Sequence, residues 1–310
     1  HMNRTGSNNT LHGVSNTDHW IRVNANKTKI DWNSLKKPTH QPITQLTAFL
    51  DKHDSLSGER LAEAYLYYYL EHDPRAAYLD SALSYLQPYL MNGTATTRSY
   101  IVLAQIRSRR GQHNESADAY RQAIVLQPEN SELFFQLGNT LMKLGKFLEA
   151  ASAFGTASLL KPNEPKYLEA SGIAQYRLSA FTEAQEYFEK ALAKDSQNGQ
   201  VFFYLGNIHA LGNQDAKTAV QYYRSAVELM PDLPNGHLNL GNAYLLLQLP
   251  DSAITQYRLE LQRDPRSASA LVNLGRSFDF KGEKTSAKSY YRKALEVDPT
   301  SAVARDLLFQ

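Results

Sequence analysis

Carboxamide side chains recur through this chain at a fixed spacing. Gln105, Asn139, Asn207 and Asn242 fall at one position of a block of about 34 residues, and Arg276 completes the series; three places earlier in the block come Gln136, Tyr204, Asn239 and Asn273. A carboxamide carries both a donor and an acceptor. An extended peptide backbone presents the same two groups, so a ladder of amides can hold a peptide with little regard for its sequence. Phe135, Phe203, Tyr204 and Phe280 offer apolar anchoring beside them, and Lys143, Lys166, Arg177 and Arg276 favour an acidic ligand. The spacing offers binding and no reaction. There is no glycine-rich phosphate loop, no His-Glu-x-x-His and no Gly-x-Ser-x-Gly. The histidines are dispersed: His53, His72 and His113 fall at loop-like positions, and His209 and His237 at helix positions suited to packing. A catalytic site is not expected.

The elements that position these residues follow from the same period. Aligned on its last proline, the block occurs six times, starting at Thr97, Ser131, Pro165, Gly199, Pro234 and Ala268. Its eighth position is small (Ala104, Gly138, Gly172, Gly206, Gly241, Gly275), which lets two helices touch, and its seventh is Leu except at Ser171. A small residue near position twenty is followed four residues later by an aromatic in every copy: Tyr120, Phe154, Phe188, Tyr223, Tyr257 and Tyr291. Residues i and i+4 share a helical face. Gly111, Gly145 and Gly282 mark a turn between two helices, where a helix end tolerates positive φ, and prolines close the blocks except at Ser196. The fourth block has one extra residue within 211–217, which reads as a lengthened turn. Each unit leaves an apolar face that only a stacked neighbour can bury.

This pattern resembles the tetratricopeptide repeat. Leu137-Gly138, Phe147, Ala150, Phe154, Ala157 and Pro162 carry the resemblance, which covers about residues 97–310. It implies an all-α, right-handed superhelical solenoid of helix-turn-helix units. It also implies that the second, fifth, sixth, ninth, twelfth and thirteenth positions of each first helix line a concave groove, which places the amides, Lys143, Arg177 and Phe280 there. The family's carboxylate clamp, with Lys at the fifth and Asn at the ninth position of one repeat, is not matched, because Phe135 precedes Asn139 and Phe203 precedes Asn207. Departures from the pattern include Arg107 and Gln175, where a large apolar residue is usual. The expected organisation is an N-terminal arm over 1–42, a divergent helical region over 43–96, six repeats over 97–299 and a capping helix over 300–310. In the second region Ile43–His53 and Gly58–Leu90 read as helices, and Leu61-Ala62 with Tyr65 resembles the start of a degenerate repeat.

Composition sets the remaining bounds. The 310 residues carry 33 basic and 31 acidic side chains, a net charge of +2, which provides no general field for nucleic acid or an anionic membrane. No apolar run approaches the ~18 residues of a membrane span. The absence of cysteine removes disulfides and thiolate sites from the chain. His1-Met2 reads as a remnant of cloning. Asn3–Thr10 is polar and without periodicity; the stretch after it holds His12, His19 and Trp20. Thr17-Asp18-His19-Trp20-Ile21-Arg22, preceded by His12, resembles the end of the haem-binding region of exported multihaem cytochromes c that carry tetratricopeptide repeats. That resemblance implies haem c in a longer protein, His19 as a candidate axial ligand and an exported location; without it a cytoplasmic one is expected. The chain itself has no Cys-x-x-Cys-His and no expected cofactor. The function these features point to is a non-enzymatic scaffold binding a protein or peptide segment. The alternatives are a cytochrome's docking domain and the targeting domain of a larger enzyme.

Overall fold

The structure is a computed structural model and describes residues 57–212 and 214–310. The expectations for 1–42, for Ile43–His53 and for His19 lie outside the described residues. Those described form two compact units, divided after Thr94. In the first, α1 (Gly58–Glu71) and α2 (Ala76–Met91) pair antiparallel. Leu61, Ala62, Tyr65 and Leu66 of α1 are buried, with Tyr78, Leu79, Ala82 and Leu86 of α2. The helical region read over Gly58–Leu90 is thus a pair of helices, joined at the turn that contains Asp73 and Pro74.

The second unit is a right-handed superhelical solenoid of helix pairs. Its elements are α3 (Thr97–Arg109), α4 (His113–Leu126), α5 (Ser131–Lys143), α6 (Phe147–Leu160), α7 (Pro165–Arg177), α8 (Phe181–Leu192) and α9 (Gly199–Asn207). They continue as α10 (Ala216–Leu229), α11 (Gly236–Leu246), α12 (Pro250–Arg263), α13 (Ala268–Phe280), α14 (Lys284–Val297) and α15 (Ala302–Phe309). Odd-numbered helices are the first helices of their repeats. No strand occurs among the described residues. Side-chain oxygens at the repeat starts cap many first helices: Thr96 in a capping box, and Asn130, Asn198, Ser267 and Ser301 accepting from the first turn. The final helix α15 takes the place of a further first helix, with Ala304 buried against the sixth repeat.

Within each pair the small residue at position eight receives the aromatic ring of the second helix. A methyl group built on Gly206 would lie 2.5 Å from Tyr223 Cδ1, and on Gly138, Gly172, Gly241 and Gly275 it would meet Phe154, Phe188, Tyr257 and Tyr291 at 2.4–2.6 Å. Such distances lie inside van der Waals contact, so the ring occupies the space a side chain would need. Where Ser171 replaces leucine at position seven, its buried hydroxyl donates to the Tyr167 carbonyl at 2.9 Å and lies 3.2 Å from the Ser158 hydroxyl. The polar atom is satisfied, which removes the main cost of burying it.

The turns follow the glycine pattern, with φ of 73°, 71° and 80° at Gly111, Gly145 and Gly282. Ser179, Gln214 and Gln248 adopt the same left-handed backbone in the other repeats, with φ of 59°, 52° and 58°. The extra residue of the fourth repeat is not a lengthened loop. It is taken up as a π turn, Ile208–Gly212, continuing α9 and beginning upstream of the expected range. Ile208, which opens that turn, is buried in the core like the residue at the same position of every other repeat.

If the ring seat holds each pair together, Gly206→Leu lowers the urea midpoint followed by circular dichroism, at a cost of about 1–3 kcal/mol. A methyl on Gly155, within α6, meets nothing within 4 Å. Gly155→Ala therefore holds or raises the midpoint, by about 0.5–1 kcal/mol from helix propensity. Equal effects of the two substitutions would contradict the packing.

Candidate functional site

Successive first helices are tied to each other by side chains. Lys166 Nζ lies 2.9 Å from Glu132 Oε2, and the Tyr167 hydroxyl donates to the same oxygen at 3.1 Å, joining α7 to α5. Asn198 Nδ2 donates to Glu169 at 2.8 Å, Asn239 Nδ2 to Asn207 at 3.0 Å, and Asn273 Nδ2 to Asn242 at 2.9 Å, carrying the chain of links through α9 and α11 to α13. First helices this close form the inner face of the superhelix. Most of the carboxamides of the ninth and sixth positions lie on it half-buried.

The amides fall into two classes. The Asn207 carbonyl accepts from the Tyr223 hydroxyl at 2.7 Å as well as from Asn239, and the Asn242 carbonyl from the Tyr257 hydroxyl at 2.8 Å as well as from Asn273. Both lone pairs of each carbonyl are occupied. Asn207 is only 8% exposed. The expectation that these two asparagines offer a peptide both donor and acceptor is thereby corrected: their acceptor capacity is used within the fold. Burial holds the Tyr223 and Tyr257 phenols above the ordinary tyrosine range, so they remain donors. Gln105 and Asn139 differ. No described residue bonds to either side chain. At Asn139 the reason is that Phe154 has no hydroxyl to reach it and Ala170 stands where the next amide would be; Gln105 stays open although Tyr120 and Gln136 occupy the corresponding places, and Gln136 donates instead to Glu132 at 2.6 Å.

The expected aromatic anchors are mostly committed to packing. Phe135 lies against Phe154 and Tyr167, with ring centroids 5.7 and 5.2 Å apart, and carries Lys166 Nζ 5.3 Å from its centre. Lys166 is therefore engaged twice. Tyr204 stacks on Phe188 at 5.4 Å, and Phe203 packs on Tyr223 at 5.9 Å. Phe280 is 55% exposed. Lys143, Arg177 and Arg276 are exposed and form no ion pair with a described residue, although Arg177 lies over the Phe147 ring at 4.8 Å. The acidic residues of this face, Glu132 and Glu169, were not singled out from the sequence. Their signal was position: both stand where the repeat lines its inner side. Burial raises the Glu169 carboxyl above its usual range, against the Asn198 bond that lowers it. His113 opens α4 and does not lie in a loop, while His209 packs on Tyr222 at 5.2 Å. Among the described residues no three metal-ligating side chains converge, and no helix is long and apolar enough to cross a membrane.

Family models describe the same units. Models of the TPR repeat and the tetratricopeptide repeat match residues 104–145, 131–164, 169–234 and 268–301. The chain belongs to the tetratricopeptide repeat family. The C-terminal part of a TPR repeat-containing protein from Cytophaga hutchinsonii is similar at 18% identity and a TM-score of 0.63, covering 81% of this chain and 99% of that one. PilF of Pseudomonas aeruginosa matches at 19% identity and 0.58, over 68% and 95% of the two chains. YrrB, described as a TPR protein with an unusual peptide-binding site, matches at 24% identity and 0.55, over 63% and 100%. At these identities the likeness is one of fold. No curated protein matches the chain.

The two classes of amide differ in what their loss costs. Asn242→Ala strands the Tyr257 hydroxyl and the Asn273 amide and lowers stability by about 1–3 kcal/mol. Asn139→Ala leaves no partner behind and holds the urea midpoint near wild type. Alkaline pH separates the tyrosines as well. Unfolded phenols ionise at ~10 and the buried ones higher, so their contribution is complete below ~10 and is lost progressively as the pH climbs from there toward the raised folded value. Unfolding midpoints at pH 8 and pH 11 should show the loss, reduced in Tyr223→Phe/Tyr257→Phe; an unchanged pH dependence would contradict the burial.

Proposed function

We propose that this chain is a non-catalytic docking scaffold whose inner face holds an extended segment of a protein partner. The observation that carries this is the state of Gln105 and Asn139. Both stand half-exposed on first helices of adjacent repeats, and no described residue takes up their donors or acceptors. An extended peptide main chain supplies both kinds of partner. Met142 and Ile173, also half-exposed at groove positions, add apolar contact beside them. The peptide-binding site named for YrrB is in keeping with this use of the fold. The amides of the later repeats support the reading differently, by fixing the helices that carry the face.

A phage-displayed library of random peptides tests the proposal. Peptides selected on the whole chain should lose affinity about tenfold or more on Gln105→Ala/Asn139→Ala, the equivalent of at least one or two hydrogen bonds. They should be insensitive to Leu148→Ser/Leu159→Ser, which alters exposed side chains of the second helix α6. The reverse pattern would move the binding surface to the second helices and end the proposal.

A further inference from the structure

The first helices end alike, and the side chains at that end change character halfway along the stack. Each helix breaks at the residue of positive φ, and the place two residues earlier is exposed in every repeat. In the first three repeats that place holds Arg109, Lys143 and Arg177. In the fifth and sixth it holds Leu246, 66% exposed, and Phe280. The π turn of the fourth repeat puts Gly212 there with Leu211 beside it, also 66% exposed. A cation in the last turn complements the helix dipole wherever it stands. That does not account for large apolar side chains, open to solvent, at the same place in the following repeats. Arg276 lies one turn deeper on α13, where its charge acts on the Tyr257 and Tyr291 phenols, and is not part of this edge.

We propose that this edge reads the order of side chains in the bound segment, taking an acidic stretch against Arg109, Lys143 and Arg177 and a contiguous apolar stretch against Leu211, Leu246 and Phe280. The occupant is a protein segment in which acidic and apolar residues are segregated. The inference rests on the inner face being the docking surface. Its charge argument is direct, since none of the three cations forms an ion pair with a described residue. Its spacing argument is geometric. Neighbouring helices lie about 10 Å apart, and an extended chain advances about 3.3–3.6 Å per residue, so one repeat corresponds to about three residues of partner. The whole edge then takes a segment of about 18 residues.

Two fluorescein-labelled synthetic peptides of about that length, identical in composition, test this by anisotropy with the full chain. One has its glutamates in one half and its leucines in the other; the second interleaves them. The segregated peptide should bind about tenfold tighter or more, and Lys143→Glu/Arg177→Glu should cost it at least as much. A peptide with lysines in place of the glutamates should regain affinity for that variant. Leu246→Ser/Phe280→Ser should weaken the segregated peptide without altering the far-ultraviolet circular dichroism, because both side chains are exposed. A segregated peptide that binds no tighter than the interleaved one, or does not bind, overturns the proposal. If both bind equally and Gln105→Ala/Asn139→Ala weakens both, the inner face stands and the ordered edge falls. If neither set of variants changes binding, the inner face falls with it.

Discussion

The seating of an aromatic ring on a glycine is the contact on which the rest of this solenoid depends. A side chain at Gly206 or Gly241 would stand in the space of the tyrosine ring, so the two helices of a repeat close only when position eight is small and position twenty-four is flat. Hydrophobic transfer alone would allow the helices to slide. The ring on glycine fixes both depth and register, because a glycine one turn away would not face it. In the first repeat Ala104 takes this place, and the Ser116 hydroxyl donates to its carbonyl at 2.8 Å, so the pair is held by a hydrogen bond as well as by packing.

At the asparagines of the ninth position the ring seat also determines which polar groups remain free. A tyrosine seated on its glycine carries its hydroxyl past the first helix to the ninth position, where Asn207 or Asn242 receives it. A phenylalanine in the same seat ends short, and Asn139 above Phe154 keeps its hydrogen-bonding capacity. One oxygen atom on the second helix thus separates a structural asparagine from one available to a ligand. In the sixth repeat Arg276 stands at that position, and the Tyr291 hydroxyl turns to Asp279 at 2.5 Å.

Much of this was legible in the sequence, and the limits are physical. The small residue and the aromatic recur at fixed offsets, so the repeat, the helix pairs and the positive-φ turns at Gly111, Gly145 and Gly282 could be read directly. Ser179, Gln214 and Gln248 could not, because nothing in their type requires the left-handed region. The extra residue of the fourth repeat was countable, but nothing in its type says whether the helix absorbs it as a π turn or the loop after it takes it up. The amide ladder was visible as residue types, whereas its division into occupied and free members depends on whether a hydroxyl sixteen or fifteen residues later reaches across. The coincidence of Tyr with Asn207 and Asn242, and of Phe with Asn139, was the available signal. The pairing of Glu132 with Lys166 needed the distance between adjacent first helices.

The account makes the later amides part of the scaffold and the earlier ones part of its surface. Side-chain amide proton exchange, followed residue by residue by nuclear magnetic resonance of the free protein, tests that division most directly. The Asn239 and Asn273 amides, which donate to the Asn207 and Asn242 carbonyls, should exchange slowly and show dispersed shifts, while the Gln105 and Asn139 amides exchange at the rate of solvated carboxamides. Uniformly fast exchange at all four would contradict the division, and with it the assignment of the free amides as the docking surface.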